Sequence, residues 1–252
     1  GCDVALQGAP GETLVGLTSG AAGLPRGLAV GKGYSRILQL QRSGSGGGLL
    51  SWALLQRLAP LQLRALAGGA EGLFAVGEGA ALVRQQKGIW QQEMPTGASV
   101  ELFAVAGGGL SEIYAVGAAG LVLHHDGRSW QRLSSATTAH LRTVAPVPGG
   151  ALVAGSGGTL LSCNRKRCVP RPFPYRASLH GLASRGGQIW AVGDGGLFAH
   201  FALLRGKWRA QRLGTQPLRA VLVSQRDGAI WIAGDGGTLA RWTKGKLKTV
   251  TT

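Results

Sequence analysis

A short apolar motif returns five times along this chain at almost constant spacing. The motif reads Leu-x-x-(Val/Leu), and consecutive copies lie 39, 39, 38 and 39 residues apart. Its copies begin at Leu63, Leu102, Leu141, Leu179 and Leu218. Each copy is followed by an aromatic or bulky residue that precedes a glycine, as in Phe74-Ala75-Val76-Gly77. Repeats of about forty residues that contain several short strands are typical of a β-propeller.

Superimposing the repeats gives six units of four short strands each. The first strand of each unit is predicted at 14–17, 63–66, 102–105, 141–144, 179–182 and 218–221. Second strands end in glycine-flanked turns, which suit hairpins whose central residues need positive φ. Fourth strands open on a tryptophan in four of the units, at Trp52, Trp90, Trp130 and Trp208. The sequence therefore predicts an all-β fold, a six-bladed β-propeller of four-stranded blades.

A single domain is predicted over residues 1–252, because the repeat runs nearly from end to end. The blades are predicted at about 10–60, 61–98, 99–137, 138–175, 176–215 and 216–252. A hydrophobic content of 44% is ample for a buried core. No transmembrane segment is predicted, since charged residues and a proline interrupt the longest apolar stretch, 49–66. No charged and then apolar leader opens the sequence, so we expect a removed signal or none.

The first unit is the longest, and its excess includes the Ser/Gly run 43–48. That run predicts a surface loop inserted into one blade. Segment 49–58 has leucines at helical spacing, but its Trp52 and Arg57-Leu58 match the fourth strands of other units, which favours a strand. The last strand is expected at 247–250, and residues near 4–7 are candidates to pair beside it.

The three cysteines divide into a pair and an orphan. Cys163 and Cys168 flank a four-residue tip at a predicted hairpin, so a disulfide between them is expected. Such a bond indicates an oxidising compartment, whereas half of a metal site is disfavoured because no second Cys or His pair has suitable spacing. In the fourth unit the tryptophan is missing and Cys168 lies near its place. The disulfide is therefore a candidate substitute for the packing of that aromatic.

Cys2 follows Gly1, and this junction resembles the processing site of bacterial lipoproteins, in which the cysteine is lipidated. In a mature lipoprotein the glycine would have been cleaved away. The alternative is a free thiol at the chain terminus.

The chain is strongly basic, with a formal net charge of +16 and a pI near 11.2. Basic residues recur at the predicted hairpins between third and fourth strands: Lys87, Arg128, Arg165, Lys166, Arg167, Arg205, Lys207, Lys244 and Lys246. Together they predict one positive face that binds an acidic partner or surface. The alternative is that the charge only keeps the rim soluble.

The turns between second and third strands are predicted to lie on the opposite face, near the central channel. They carry Lys32, Glu78, Asp194 and Asp235. Three carboxylates around a channel are suited to a cation or to a basic group on a partner. Acidic residues are also common in exposed Gly-rich turns, and this second interpretation is favoured.

No catalytic motif is found, and the protein is predicted not to be an enzyme. The P-loop, His-Glu-x-x-His and Gly-x-Ser-x-Gly patterns are all missing from the sequence. His124 and His125 are consecutive in a strand and point to opposite faces, which disfavours a shared metal. His180, on an inner strand, is interpreted as a satisfied core histidine. No cofactor or metal is predicted, and nucleic acid is disfavoured because the tryptophans recur at structural positions and no reading motif is present.

The segment IYAVGAAGLVLHHDGRSWQRL, residues 113–133, resembles the repeats of the photosystem II stability/assembly factor-like propellers and the wider bacterial BNR-like proteins. Similar repeats run from about Leu14 to the end of the chain. The resemblance implies a propeller fold but not one function, because the family includes assembly factors, lectin-like binders and glycosidases. Asp126 lies four residues before Trp130, whereas sialidase-type Asp boxes place the aspartate five residues before. The enzymatic branch of the family is therefore weakly supported.

Two functions follow as hypotheses. The first is a non-catalytic, exported scaffold for protein interaction or assembly, in the periplasm, anchored to the outer membrane or secreted. Its basic face would dock an acidic protein partner, with an anionic membrane or glycan surface as further candidates. The alternative is a glycan-binding propeller, either lectin-like or a degenerate glycosidase, with exposed aromatics in pockets that repeat around the ring. An active hydrolase would need two carboxylates near one sugar bond, and the sequence suggests no such pair.

Overall fold

The fold is a six-bladed β-propeller. A computed structural model of the protein describes residues 13–19, 25–31, 34–43, 49–58, 60–69, 72–87, 89–93, 100–107, 112–202, 206–224 and 226–249. These residues form six sheets, each of four antiparallel strands in sequence order, and four 3-10 turns as the only helical elements among them. The predicted all-β, six-bladed fold is confirmed. The described part of the chain contains no helix long and apolar enough to cross a membrane.

The first three blades hold strands β1 to β12. The first blade contains β1 (Thr13–Ser19), β2 (Pro25–Gly31), β3 (Tyr34–Ser43) and β4 (Leu49–Leu58). The second contains β5 (Leu63–Gly69), β6 (Gly72–Gly77), β7 (Leu82–Gln86) and β8 (Ile89–Gln92). The third contains β9 (Leu102–Gly107), β10 (Ile113–Gly117), β11 (Val122–His125) and β12 (Trp130–Leu133).

The last three blades hold strands β13 to β24. The fourth blade contains β13 (Leu141–Val147), β14 (Gly150–Gly155), β15 (Leu160–Cys163) and β16 (Cys168–Pro170). The fifth contains β17 (Leu179–Arg185), β18 (Gln188–Gly193), β19 (Leu197–Ala202) and β20 (Lys207–Arg212). The sixth contains β21 (Leu218–Val223), β22 (Ile230–Gly234), β23 (Leu239–Thr243) and β24 (Lys246–Thr249).

The chain forms two compact units. One comprises Gly1–Ala115 and Leu123–Gln131, and the other comprises Val116–Val122 and Arg132–Thr252. Within the first unit β1 contacts β5 and β5 contacts β9; within the second, β13 contacts β17 and β17 contacts β21. First strands of consecutive blades are therefore neighbours inside each unit, as the Leu-x-x-(Val/Leu) motif predicted. A single domain over residues 1–252 stays a prediction.

From the second blade to the fifth, the second strands are largely buried. All six residues of β6 and all five of β10 are buried. A strand in the middle of a sheet with both faces covered has no solvent face, so it is apolar at consecutive positions rather than at alternate ones. This environment explains the runs Phe74-Ala75-Val76 and Tyr114-Ala115-Val116.

The glycine that ends the second strand is required by close packing. A Cβ atom at Gly77 would lie 1.9 Å from the Gln62 carbonyl oxygen, and one at Gly155 would lie 1.9 Å from that of His140. No side chain fits at that distance, so the repeat keeps glycine there. The turns that follow need positive φ, as predicted, and Ala119 adopts a φ of 51° where other blades have glycine.

The fourth-strand tryptophans pack toward the preceding blade. Trp90 packs in a cluster that contains Ile37 of the first blade, and Trp208 packs in one that contains Leu152 and Leu160 of the fourth. Trp130 contacts Phe74, with ring centroids 5.6 Å apart. The interpretation of these tryptophans as core between blades is confirmed.

The long first blade differs from its siblings in its outer hairpin. Strands β3 and β4 span ten residues each, and segment 49–58 is a strand, as predicted. Residues 44–48 of the Ser/Gly run and the predicted pairing segment 4–7 lie outside the described residues. The sixth blade is completed by β24 from the C-terminal end of the chain.

The predicted disulfide joins Cys163 and Cys168, which face each other at the ends of β15 and β16. Both cysteines are buried. In register, Cys168 occupies the position of the tryptophan of the other blades, since Cys163 pairs with Cys168 where Gln85 pairs with Trp90 and Phe201 with Trp208. The disulfide thus stands at the position of the missing aromatic.

Candidate functional site

The basic hairpin tips are the loops that join third and fourth strands, together with the first residue of the fourth strand in the fifth and sixth blades. Lys87 and Arg128 lie on the tips of the second and third blades, and the remaining described members belong to the fourth, fifth and sixth blades. Those members are Arg165, Lys166, Arg167, Lys207, Lys244 and Lys246. All of the described tip residues are exposed. Arg205 lies outside the described residues.

The tip of the fourth blade is the most constrained of these loops. The Asn164 side-chain oxygen accepts hydrogen bonds from the backbone N–H groups of Lys166 and Arg167, both at 2.9 Å. The disulfide closes its base, and the Cys168 N–H donates to the Ser134 carbonyl at 2.9 Å. Three consecutive cations therefore project from a turn whose backbone is held at both ends.

The tip of the third blade is held in the same way, with the Asp126 carboxylate in place of the Asn164 amide. Asp126 Oδ1 accepts hydrogen bonds from the backbone N–H groups of Arg128 at 2.8 Å and Ser129 at 2.9 Å. These two hydrogen bonds lower the pKa of Asp126 below its ordinary value, and the bond from the Ser129 N–H has the larger effect. The Asp126 carboxylate is thus engaged by its own turn.

Each acidic residue on the described turns between second and third strands pairs with a base on the first strand of its own blade. Glu78 lies 3.0 Å from Arg64, and Asp194 Oδ1 lies 2.6 Å from His180 Nε2. Asp235 accepts two hydrogen bonds from Arg219, at 2.9 and 2.6 Å. The basic partner always follows the leucine that opens the repeat motif. Lys32, predicted at the same place in the first blade, lies outside the described residues.

The two acid–base pairs of the fifth and sixth blades also interact with each other. The hydrogen bond from His180 is the main cause that lowers the pKa of Asp194, and the charge of Arg219 adds to it. Arg219 lowers the pKa of Asp235, which in turn raises the pKa of Arg219. The predicted channel carboxylates therefore already have basic side chains of this chain as partners. The described residues also contain no group of three His, Cys, Asp or Glu that could hold a metal ion.

His124 and His125 point to opposite sides of β11, as predicted. The His124 ring lies 4.7 Å from that of Tyr114, and its Nε2 lies 3.3 Å from Glu112. The His125 ring lies 5.2 Å from that of Phe74. The His180 bond to Asp194 makes that histidine a satisfied one, in agreement with its interpretation.

A cleft of about 430 Å³ lies between the fifth and sixth blades, and sequence reasoning missed it. Its lining residues are Gln188, Phe198, His200, Ala202, Lys207, Arg209, Ala210, Gln211, Trp242 and Gly245. In the sixth blade Leu247 occupies the fourth-strand position of the tryptophan and pairs with Trp242 on the third strand. The large aromatic has moved one strand inward, which leaves space at the outer end of this interface. The signal in the sequence was the absence of tryptophan near 247 together with its presence at 242.

The structure is similar to several solved β-propellers. It matches YCF48 bound to D1 peptide with a TM-score of 0.68 and 15% identity, over 94% of this chain and 82% of that one. It matches catalytically inactive virginiamycin B lyase from Staphylococcus aureus with quinupristin at a TM-score of 0.75 and 11% identity, over 94% and 84%. The WD40 propeller domain of Doa1 matches at 0.74 and 12%, over 96% and 83%.

YCF48 from Cyanidioschyzon merolae is also similar, with a TM-score of 0.68 and 13% identity over 95% of this chain and 85% of that one. No family model and no curated protein sequence matches the chain. At these identities the likeness establishes the propeller fold, which agrees with the resemblance seen in the repeats, and leaves its BNR-like detail a prediction.

Proposed function

We propose that the protein is a non-catalytic propeller scaffold that binds a protein partner, with the basic hairpin tips as its contact to acidic surfaces. The observation that carries this proposal is the division of charge. Eight of the eleven acidic residues lie in the described part of the chain, and all eight are engaged internally. Seven pair with Arg or His, and Asp126 binds the backbone of its turn.

Because the carboxylates are used within the fold, the excess of positive charge remains for contacts with other molecules. The exposed tip cations contribute to that excess on every described tip from the second blade to the sixth. A strongly positive surface accelerates and orients association with acidic partners. A peptide-bound protein of the same fold, YCF48, supports a protein as the partner class.

Export is part of the proposal. A disulfide persists in oxidising compartments and is rare in the cytosol, so the Cys163–Cys168 bond supports a periplasmic, outer-membrane-anchored or secreted location. Lipidation at Cys2 would provide the anchor. Cys2 lies outside the described residues, and mass spectrometry of the protein purified from its native membrane would detect the acyl chains.

The test reverses charge on the most constrained tip. The variant Arg165→Glu/Lys166→Glu/Arg167→Glu is compared with a control of equal charge change, Arg132→Glu/Arg171→Glu/Arg176→Glu. The control residues are exposed and lie away from the tips. Binding to polyglutamate, an acidic polypeptide probe, is measured at about 50 mM and about 500 mM salt.

We expect the tip variant to bind at least about tenfold more weakly than the control, and wild-type binding to fall with salt. Equal losses in the two variants would assign binding to net charge alone. Salt-independent binding would remove the electrostatic account. Either result would overturn the proposed role of the tips.

A further inference from the structure

One wall of the cleft between the fifth and sixth blades is a ladder of paired residues on β19 and β20. Phe198 pairs with Gln211, His200 with Arg209, and Ala202 with Lys207. The paired residues of adjacent antiparallel strands lie side by side on one face. The ring and methyl side chains of β19 therefore lie beside the polar and basic side chains of β20, which is the strand nearer the edge of the sheet.

The floor of the cleft is aromatic. The Trp242 ring lies 5.3 Å from that of His200 and 6.2 Å from that of Phe198, and His200 stacks on Trp190 at 5.4 Å. Since a Gln oxygen can only accept, the 3.0 Å contact to Gln188 is donated by His200 Nε2. Burial, with the charge of Arg209, lowers the pKa of His200 and so favours its neutral ring.

The charge of the cleft is positive. Lys207 and Arg209 are exposed at its outer side, and none of the residues described around it is acidic. An apolar floor below two unopposed cations is complementary to an occupant that is apolar in part and anionic in part. Charge complementarity therefore selects an acidic ligand here.

Strand β20 also offers a backbone edge. It is the outermost strand of its sheet, with β19 on one side and no further strand beside it among the described residues. It spans six residues, more than the four, four, three and four of β8, β12, β16 and β24, whereas β4 of the first blade spans ten. An exposed strand edge pairs with extended peptides, which glycans cannot imitate. This edge favours a peptide over an acidic sugar.

We propose that the cleft binds an extended acidic peptide segment, which pairs with the edge of β20 and places carboxylates opposite Lys207 and Arg209. These two cations are separated by one residue, so they project from the same face of the strand. The matching peptide has acidic residues at alternate positions, with an apolar side chain beside them for the Trp242 floor. This inference deepens the proposed function by naming the form of the partner, and it rests on the protein being a peptide-binding scaffold.

The probe is a blocked hexapeptide, Phe-Ser-Glu-Ser-Glu-Ser, labelled for fluorescence anisotropy. A control peptide, Phe-Ser-Ser-Ser-Glu-Glu, has the same composition with adjacent acids. The protein variant is Arg209→Glu, which lies outside the basic hairpin tips, and its control is Lys248→Glu, an equal charge change at an exposed residue of β24. Ala202→Trp fills the cleft without changing charge.

We expect the alternating peptide to bind wild type at least about tenfold more tightly than the control peptide, and Arg209→Glu to remove that preference. Ala202→Trp should weaken binding similarly, whereas Lys248→Glu should change it less than about twofold. Backbone N-methylation of the alternating peptide should abolish binding. Circular dichroism melting establishes that each variant is folded.

Equal affinity for the two peptides would overturn the inference, as would binding insensitive to both Arg209→Glu and Ala202→Trp. Arg209-dependent binding of oligogalacturonate, without binding of the peptide, would assign the cleft to a glycan and overturn it as well. The tip variant Arg165→Glu/Lys166→Glu/Arg167→Glu separates the two proposals. If this variant no longer binds polyglutamate but still binds the alternating peptide, both proposals stand. If its polyglutamate binding is unchanged while binding of the alternating peptide depends on Arg209, only the proposal for the tips fails.

Discussion

Arg241 Nη2 lies 2.7 Å from Asp227 Oδ2 and joins the third strand of the sixth blade to the hairpin between its first two strands. The guanidinium carbon of Arg241 also lies 5.7 Å from the centre of the Trp231 ring. Asp227 further accepts a hydrogen bond from the Ala229 N–H at 3.1 Å. The Asp227 carboxylate thus links the loop between β21 and β22 to strand β23.

The first prediction concerns the pH dependence of this contact. The Ser224 hydroxyl, the Ala229 N–H and Arg241 lower the pKa of Asp227 from 3.8 to about 2. Because the folded-state pKa lies below the unfolded one, the stabilisation is present above about pH 4 and is lost as the pH falls through about 2. Asp227→Asn should therefore lower the melting temperature at pH 6, and its difference from wild type should vanish near pH 2. A difference that is constant from pH 6 to pH 2 would contradict this assignment.

The second prediction concerns the hairpin disulfide. Cys163 and Cys168 are five residues apart, and closing a loop of that size stabilises the folded state by about 2 kcal/mol through the entropy of the unfolded chain. Cys163→Ala/Cys168→Ala should lose about that free energy of unfolding in urea. Reductant should destabilise wild type and leave the variant unchanged. A wild type whose melting is indifferent to reductant would show that the bond carries no stability.

The third prediction concerns the glycine at the end of the second strand. Gly155→Ala places a Cβ against the His140 carbonyl and should lower the free energy of unfolding by about 3 kcal/mol, because backbone must move. Gly157→Ala is the matched control, since a Cβ there meets no atom within 4 Å and its cost is limited to a φ of +65°. That cost is about 1 kcal/mol. Equal losses in urea titrations would refute the steric explanation.

The fourth prediction separates packing from hydrogen bonding at Trp130. Its Nε1 donates to Glu93 at 2.5 Å, and its ring packs on Phe74 and His125. Trp130→Phe keeps most of the ring contact and should cost about 1–3 kcal/mol, while Trp130→Ala should cost about 3–5 kcal/mol. Urea unfolding followed by circular dichroism measures both. A Phe variant as unstable as the Ala variant would mean that the bond to Glu93, not the ring contact, holds this interface.

The blades were predictable because their requirements are local and repeat six times. A buried second strand needs apolar residues on both faces, a steric contact needs glycine after it, and the alignment of units makes these positions visible. The charge partners were less predictable. His180 and Asp194 are fourteen residues apart in sequence. The pairing of β17 with β18 brings His180 Nε2 within 2.6 Å of Asp194 Oδ1.

The cleft was missed for a related reason. The cleft accompanies a single exchange, in which Trp242 stands on the third strand and Leu247 occupies the fourth-strand position of the usual tryptophan. A repeat alignment registers such a change as a weak match. The space that it opens belongs to two blades at once, whereas the alignment treats each blade by itself.

The bond between Arg219 and Asp235 has a consequence for how such a chain can change in evolution. Both members belong to one repeat, as do His180 and Asp194 in the repeat before. When a stretch of about forty residues is copied or lost, its acid and its base are therefore gained or removed together. The turns between second and third strands can therefore keep paired charges when the number of blades changes. The basic hairpin tips can diverge independently of these pairs.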